Sequence, residues 1–311
     1  MKLILKPTYL LITSLLLWSQ FLYASADPYK HRSLYVNKFN QILESEQQQQ
    51  QLFAFIRQHQ ITELILYDLH LVNQKYPLTK YSENQILANF IRKAKTKYGL
   101  KKLSAAGESG DFFLKVIHPY NRSSKDSLER FDIYNLEYEY WNNSQSDPGG
   151  YYCTSYLEKN QMPCDRASSF QFFIKSLEIV RALADELEKK VLVEAYIGHF
   201  KEAEVKQICT HVDRLLVHDY VKREAYLFPY VEKRLHLLER ERPHIQVSIL
   251  YSLESRYLGP YLKRHDFHLA EKKFFEELKA VDQDLDKHLK FRGFTYFHYD
   301  HFRNAENISS P

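Results

Sequence analysis

From Ser33 onward the chain alternates between short runs of branched and aromatic residues and longer amphipathic runs. Runs of the first kind read as strands, and runs of the second kind as helices. The strand-like runs are 33–39, 63–69, 102–106, 131–141, 191–196, 214–219, 245–251 and 293–299. Helix-like stretches fill the gaps: about 47–59, 82–98, 111–118, 168–189, 202–211, 224–242 and 267–289. Ser168 or Ser169 is the expected cap of the 168–189 helix, and Pro243 ends the one before strand seven. Eight βα units in a chain of this length predict a single (β/α)8 barrel over residues 27–311. An open doubly wound sheet is the competitor, but no Gly-x-Gly-x-x-Gly or Walker loop follows an early strand. A barrel gathers the C-terminal ends of its strands at one mouth, so groups distant in sequence can meet there.

The first 26 residues read differently. Met1, Lys2 and Lys6 precede an apolar run from Tyr9 to Tyr23, which ends in Ala24-Ser25-Ala26. That order is a secretory signal peptide, with cleavage expected after Ala26 and a secreted or periplasmic product. The run is short for a membrane span and no cysteine sits at the cleavage site, so no membrane anchor is expected. The formal charge of +4 comes without Lys/Arg blocks, which argues against nucleic acid as a partner. Against 2 Trp the chain has 24 Tyr and 20 Phe, a supply of rings that suits sugar stacking as well as core packing. In an exported chain, Cys153 and Cys164 are close enough in one loop-like segment to form a disulfide. Cys209 falls in a helix and reads as a small buried hydrophobe.

The fourth strand carries the chemistry. Along 131–141, alternation puts Asn135, Glu137 and Glu139 in one row and Tyr134, Leu136, Tyr138 and Tyr140 in the other. Members of a row stand roughly 6.6 Å apart. Two carboxyls that close, in a poorly solvated setting, cannot both ionise freely, so one pKa should rise. A protonated carboxyl beside an ionised one is what acid catalysis at a glycosidic oxygen needs. A solvated strand face would produce the same alternation without any chemistry. Barrel order shifts the balance toward chemistry, because it places Glu137, Glu139 and Trp141, His218 and Asp219, and Phe297, His298 and Tyr299 at strand ends around one mouth.

With these residues in order, the chain resembles the family-18 glycoside hydrolases, the chitinase and endo-N-acetylglucosaminidase group. The family's fourth-strand pattern DxxDxDxE matches Asp132, Asn135, Glu137 and Glu139. Its third-strand SxGG matches Ser104-Ala105-Ala106-Gly107, and its sixth-strand Met-x-Tyr-Asp matches Leu216-Val217-His218-Asp219. The resemblance implies that Glu139 protonates the leaving oxygen and that Glu137 orients the substrate's own N-acetyl group. Asn135 would tune Glu137 by hydrogen bonding. The acetamido carbonyl then attacks the anomeric carbon, a substrate-assisted exception to the two-carboxylate scheme. Asp132, Trp141, Tyr196, His218, Asp219 and Phe297 form the implied substrate-binding set, and no cofactor is implied. Glu137 is one methylene longer than the family's Asp, Asn135 removes a charge, Ala106 adds a methyl, and Phe297 or His298 stands where a stacking Trp is usual. These departures leave a divergent glycosidase as the leading expectation and a non-catalytic chitinase-like glycan-binding barrel as the alternative. A third possibility is a barrel without a sugar ligand, its mouth plugged by the 142–166 loop.

Other constellations weigh less. His298-Tyr299-Asp300-His301 could offer two metal ligands on one strand face, but no HExxH-type pair accompanies it, and no metal site is expected. Glu194 and Tyr196 share a face of strand five and could line the mouth. Glu254 lies just past strand seven. Tyr226 and Tyr230 read as helix packing, and no serine has a Gly-x-Ser-x-Gly context.

Overall fold

The computed structural model describes residues 31–306; the expected leader at 1–26 lies outside them. The strands are β1 (Arg32–Val36), β2 (Glu63–Leu66), β3 (Lys102–Gly107), β4 (Ile133–Leu136), β5 (Leu192–Ile197), β6 (Arg214–Asp219), β7 (Gln246–Ser252) and β8 (Phe291–Phe297). Each pairs in parallel with the next, and β8 pairs with β1, so the sheet closes into the expected (β/α)8 barrel. Closure needs a glycine. Gly293 has φ +97°, and a Cβ there would lie 2.2 Å from the His31 carbonyl oxygen.

The principal helices are α1 (Glu46–Gln58), α2 (Gln85–Tyr98), α3 (Arg166–Asp185), α4 (Glu202–His211), α5 (Leu227–Glu241), α6 (Phe267–Val281) and α7 (Tyr299–Glu306). Their apolar stripes cover the outside of the barrel. In α1, Gln49, Leu52, Phe53 and Ile56 are buried at helical spacing, and Ser45 caps the first turn by accepting from the Gln48 N–H. The buried Gln49 is satisfied by donating to the Leu43 carbonyl at 2.9 Å. Each Leu or Phe fully buried in this layer contributes about 1.5–3 kcal/mol relative to exposure.

Several boundaries differ from the sequence reading, and three of them have a visible cause. The cap of α3 is Asp165, whose carboxylate accepts from the Ser168 N–H at 2.7 Å, so the helix begins before either serine. The stretch 267–289 is split because Asp282 leaves the helix and accepts from the N–H groups of Asp284 and Leu285. β4 is much shorter than 131–141. Its last ladder bond runs from the Glu137 N–H to the Gly107 carbonyl, after which a tight turn joins the Tyr140 N–H to the Tyr138 carbonyl.

Inside the barrel, side chains stack in layers. A polar layer holds Ser33, Glu63, Asn135, Glu194 and Arg214, which are register neighbours or are joined across the interior. Above it, toward the mouth, Tyr35, Ile65, Ala106, Tyr196, Leu216 and Leu250 form an apolar ring.

Candidate active site

At the mouth, the two carboxyls of the fourth-strand row meet in unlike surroundings. Glu137 leaves the end of β4, and its side chain lies near the Tyr67 hydroxyl, which favours the charged form. Its Oε2 is enclosed and has no hydrogen-bond partner among the described residues. Burial, and then the nearby Glu108 and Glu139 carboxylates, push the Glu137 carboxyl well above the usual range, so it holds a proton. Glu139 lies past the turn and is well supplied with donors. Its Oε1 accepts from Tyr196 Oη at 2.9 Å and its Oε2 from Asn142 Nδ2 at 3.1 Å, while its own N–H donates to Tyr152 Oη at 3.1 Å.

Asn135 lies one layer deeper, and its side chain does not tune Glu137 by a direct bond. Its Nδ2 donates to Glu194 Oε1 at 2.7 Å and its Oδ1 accepts from Tyr35 Oη at 3.3 Å. Glu194 is likewise not a mouth residue: it pairs with Arg214, which also reaches Glu63 at 2.7 Å. Burial raises the Glu194 carboxyl, and Arg214 opposes that rise. At Glu63 burial also acts upward, but Arg214 outweighs it and the carboxyl ends below its usual value. A chain of polar contacts thus runs from Ser33 through Glu63, Arg214, Glu194 and Asn135 to Tyr35, beneath the carboxyl pair.

The aromatic residues form one packed wall. Trp141 meets Tyr196 edge-on at 5.2 Å, and His218 lies 4.2 Å from the Tyr220 ring. Gly198 makes this possible, because a Cβ there would stand 2.5 Å from Trp141 and 2.7 Å from His218. Burial, with Arg234 and His199 adding to it, lowers the His218 pKa to about 3, so the imidazole is neutral. Its Nε2 lies 3.3 Å from Tyr230 Oη, so Tyr230 supports the site rather than only packing a helix. Phe297, partly exposed, packs edge-on against Tyr35 at 5.4 Å, and the peptide bond after it is cis.

Two residues of the expected set are elsewhere. Asp132 precedes β4, at the end of the barrel opposite the mouth. It accepts from the Leu103 N–H at 3.0 Å and pairs with Lys95 at 2.7 Å, an anchoring role that leaves no route to a ligand at the mouth. Asp219 follows His218 by one residue and therefore faces the other way, into the layer between barrel and helices. There it acts on Tyr251, with Arg234 and Glu277 nearby, and burial raises its carboxyl well above the usual range.

Several mouth residues escaped the sequence reading. Tyr67 and Tyr220 continue the inward rows of β2 and β6 by one more alternation, a signal that parity alone could have found. Glu108 directly follows the third-strand motif and lies past a strand's C-terminal end. Beside Glu137, a cavity of ≈ 360 Å³ is lined by Tyr67, Asp68, Ala106, Glu108, Tyr151 and Tyr156, among others. Tyr151 and Tyr156 come from the 142–166 segment, which makes a wall of this cavity rather than a plug in it. That segment is pinned by the Cys153–Cys164 disulfide. Cys209 is buried and unpaired, and burial pushes its thiol up to about 12. The His298 cluster does not gather ligands: Asp300 is held by Asn37 and Lys38, each at 3.0 Å, and His298 and His301 stack at 4.1 Å.

No family model and no curated protein matches this chain. Solved structures do match. The catalytic domain of a family GH18 chitinase from the fern Peteris ryukyuensis is 10% identical, with 91% of this chain and 100% of that one covered and a TM-score of 0.50. A β-glucosidase from Exiguobacterium marinum is 10% identical over 80% of this chain and 77% of that one, with a TM-score of 0.48. A dihydropteroate synthase from Coxiella burnetii is 11% identical over 92% and 93%, with a TM-score of 0.37. At such identities the likeness to the chitinase domain speaks for the barrel, and the reaction has to be argued from the site.

Proposed function

We propose that this chain is an exported glycoside hydrolase that acts on an N-acetylhexosamine-containing glycan, with Glu139 as acid/base and Glu137 as its proton-holding partner. The observation that carries the reading is the meeting, at the C-terminal ends of barrel strands, of a proton-holding carboxyl and a second one bonded to Tyr196 and Asn142. Export rests on the basic start, apolar run and Ala-x-Ala end of residues 1–26.

The chemistry follows from the difference between the two carboxyls. In the resting site, the proton sits on Glu137, where a charge is poorly solvated. A bound sugar whose glycosidic oxygen faces Glu139 favours moving that proton outward onto Glu139. Glu137 is left anionic, able to accept from the acetamido N–H and to turn the acetamido carbonyl oxygen toward the anomeric carbon. As that oxygen bonds to the anomeric carbon, the glycosidic bond breaks and the leaving oxygen takes the Glu139 proton. Water then opens the cyclic intermediate, giving its proton back to Glu139.

The experiment is release of reducing ends from N-acetylhexosamine oligomers. Glu139→Gln keeps the shape and one of the two acceptor oxygens but cannot carry the proton, so turnover should fall by about 10²–10⁴. A wild-type chain that binds these oligomers and releases nothing would favour the glycan-binding alternative. That alternative draws on Asn135, whose amide is engaged with Glu194 and Tyr35 rather than with Glu137.

A further inference from the structure

The cavity beside Glu137 is more than the acid pair needs. Its ≈ 360 Å³ falls within the range of about 300–1,000 Å³ in which small-molecule sites are built. It opens at the mouth between the ends of β2 and β3, and Tyr67 stands between it and the Glu137 carboxyl. The walls are aromatic: Tyr67, Phe112, Tyr151 and Tyr156. The charges are of one sign. Asp68 and Glu108 line the space and, among the described residues, no Lys or Arg does, while His70 lies exposed at the edge.

The acidic groups are held, not merely clustered. Glu108 Oε2 accepts from Tyr151 Oη at 2.7 Å and from Tyr156 Oη at 2.5 Å, which fixes its carboxylate against the wall. Asp68 Oδ2 accepts from the Lys38 N–H at 2.8 Å. Glu108 and Asp68 both bear on the Glu137 carboxyl, whose enclosed Oε2 has no hydrogen-bond partner among the described residues. Nothing among the described residues that acts strongly on Glu137 is cationic. Anionic groups around an aromatic pocket favour one ligand chemistry above others: a compact cation on a polar ring, held by charge-assisted hydrogen bonds and by the faces of the tyrosines.

We propose that this cavity is a sugar subsite selective for a hexosamine with a free, protonated amine, so that the glycan acted on is a partly de-N-acetylated aminoglycan. The proposal rests on the hydrolase reading and deepens it. An N-acetylated ring is cleaved at the carboxyl pair, while a neighbouring cationic ring lies against Glu108 and Asp68. A fully N-acetylated oligomer brings no charge to the cavity and gains nothing from those carboxylates. An anionic sugar is repelled.

Binding tests this without turnover. Isothermal titration calorimetry on the Glu139→Gln chain compares a glucosamine tetramer with an N-acetylglucosamine tetramer. The glucosamine tetramer should bind more tightly, and its advantage should shrink between about 0.05 and about 0.5 M salt. Adding Glu108→Gln, which keeps an acceptor for the two tyrosine hydroxyls, should cut the advantage about 10-fold, as loss of one charge-assisted bond does. Asp68→Asn is the second variant, in case the first disturbs the wall; unchanged thermal melting qualifies either one. Equal affinity for the two tetramers, tighter binding of the N-acetylated one, or an advantage that both variants leave intact would overturn the proposal. The two readings fail separately. If no glycan is cleaved but the calorimetric preference and its loss stand, the hydrolase reading falls and the subsite remains. If N-acetylglucosamine oligomers are cleaved and the glucosamine tetramer does not bind, the subsite falls alone.

Discussion

Replacing Glu137 by Gln should change how the stability of the fold depends on pH, and in a direction opposite to that of most carboxylates. In the folded chain, burial and the neighbouring Glu108 and Glu139 hold the Glu137 carboxyl well above its ordinary value of 4.5. Between that ordinary value and the raised one, the folded state binds a proton that the unfolded chain has released. Stability from this group is therefore fully present below pH 4.5 and is lost as pH rises toward the folded value. The loss is about 1.4 kcal/mol per pH unit, or about 2.7 kcal/mol over two units. For a domain of this size that amounts to a drop of about 5–10 °C in melting temperature. Glu137→Gln has no proton to lose. Urea unfolding of the two proteins from pH 4.5 to 7 should then show the variant gaining on the wild type as pH rises. Asp219 and Glu194, also raised by burial, and the lowered His31, His218 and His298 titrate in both proteins and cancel in the difference. The same variant should lose at least about 100-fold in turnover, because an amide cannot become the anion that holds the acetamido group. A difference curve flat to within about 0.5 kcal/mol, or sloping the other way, would refute the placement of the proton on Glu137.

Further outcomes follow from neighbouring contacts. Tyr196→Phe removes the 2.9 Å hydrogen bond to Glu139 and should lower turnover about 10–100-fold with the melting temperature nearly kept; steady-state kinetics and calorimetry check both. Arg214→Met leaves Glu63 and Glu194 buried without their cation and should cost about 3–5 kcal/mol in urea unfolding. Changing both glutamates to Gln in that background should recover most of the loss. Cys153→Ser with Cys164→Ser opens a loop with a sequence separation of 11 and should cost about 2–3 kcal/mol. It should also weaken binding of any ligand of the cavity that Tyr151 and Tyr156 wall, as titration calorimetry would show.

Much of this architecture could be read from the chain, and the reasons differ by element. The strands announced themselves because barrel strands are short apolar runs between amphipathic helices, and β5 to β7 fall within one residue of expectation at each end. β4 did not, since the composition of 131–141 stays strand-like past the point where the backbone turns at Tyr138. The carboxyl row was legible because alternation is local. The same parity separates His218 from Asp219, which cannot both face the mouth, and continues to Tyr67 and Tyr220. What no local pattern reveals is the interior ion triad: Arg214 and Glu63 are 151 residues apart and meet only when the sheet closes. That triad also explains Asn135. A carboxylate at 135 would face Glu194 at hydrogen-bonding distance inside the barrel, where the amide instead donates.

Trp141 gives the mouth an optical probe of its own. Of the two tryptophans, Trp18 lies in the proposed leader, so the mature chain would carry a single indole, and it stands at the rim against Tyr196 and His218. Protonated imidazole quenches indole emission, whereas the neutral ring quenches little. Because the His218 pKa is lowered to about 3, emission should stay steady across mildly acidic and neutral solutions and respond to whatever enters the mouth. Fluorescence would then report occupancy of the site directly, without label or substrate analogue.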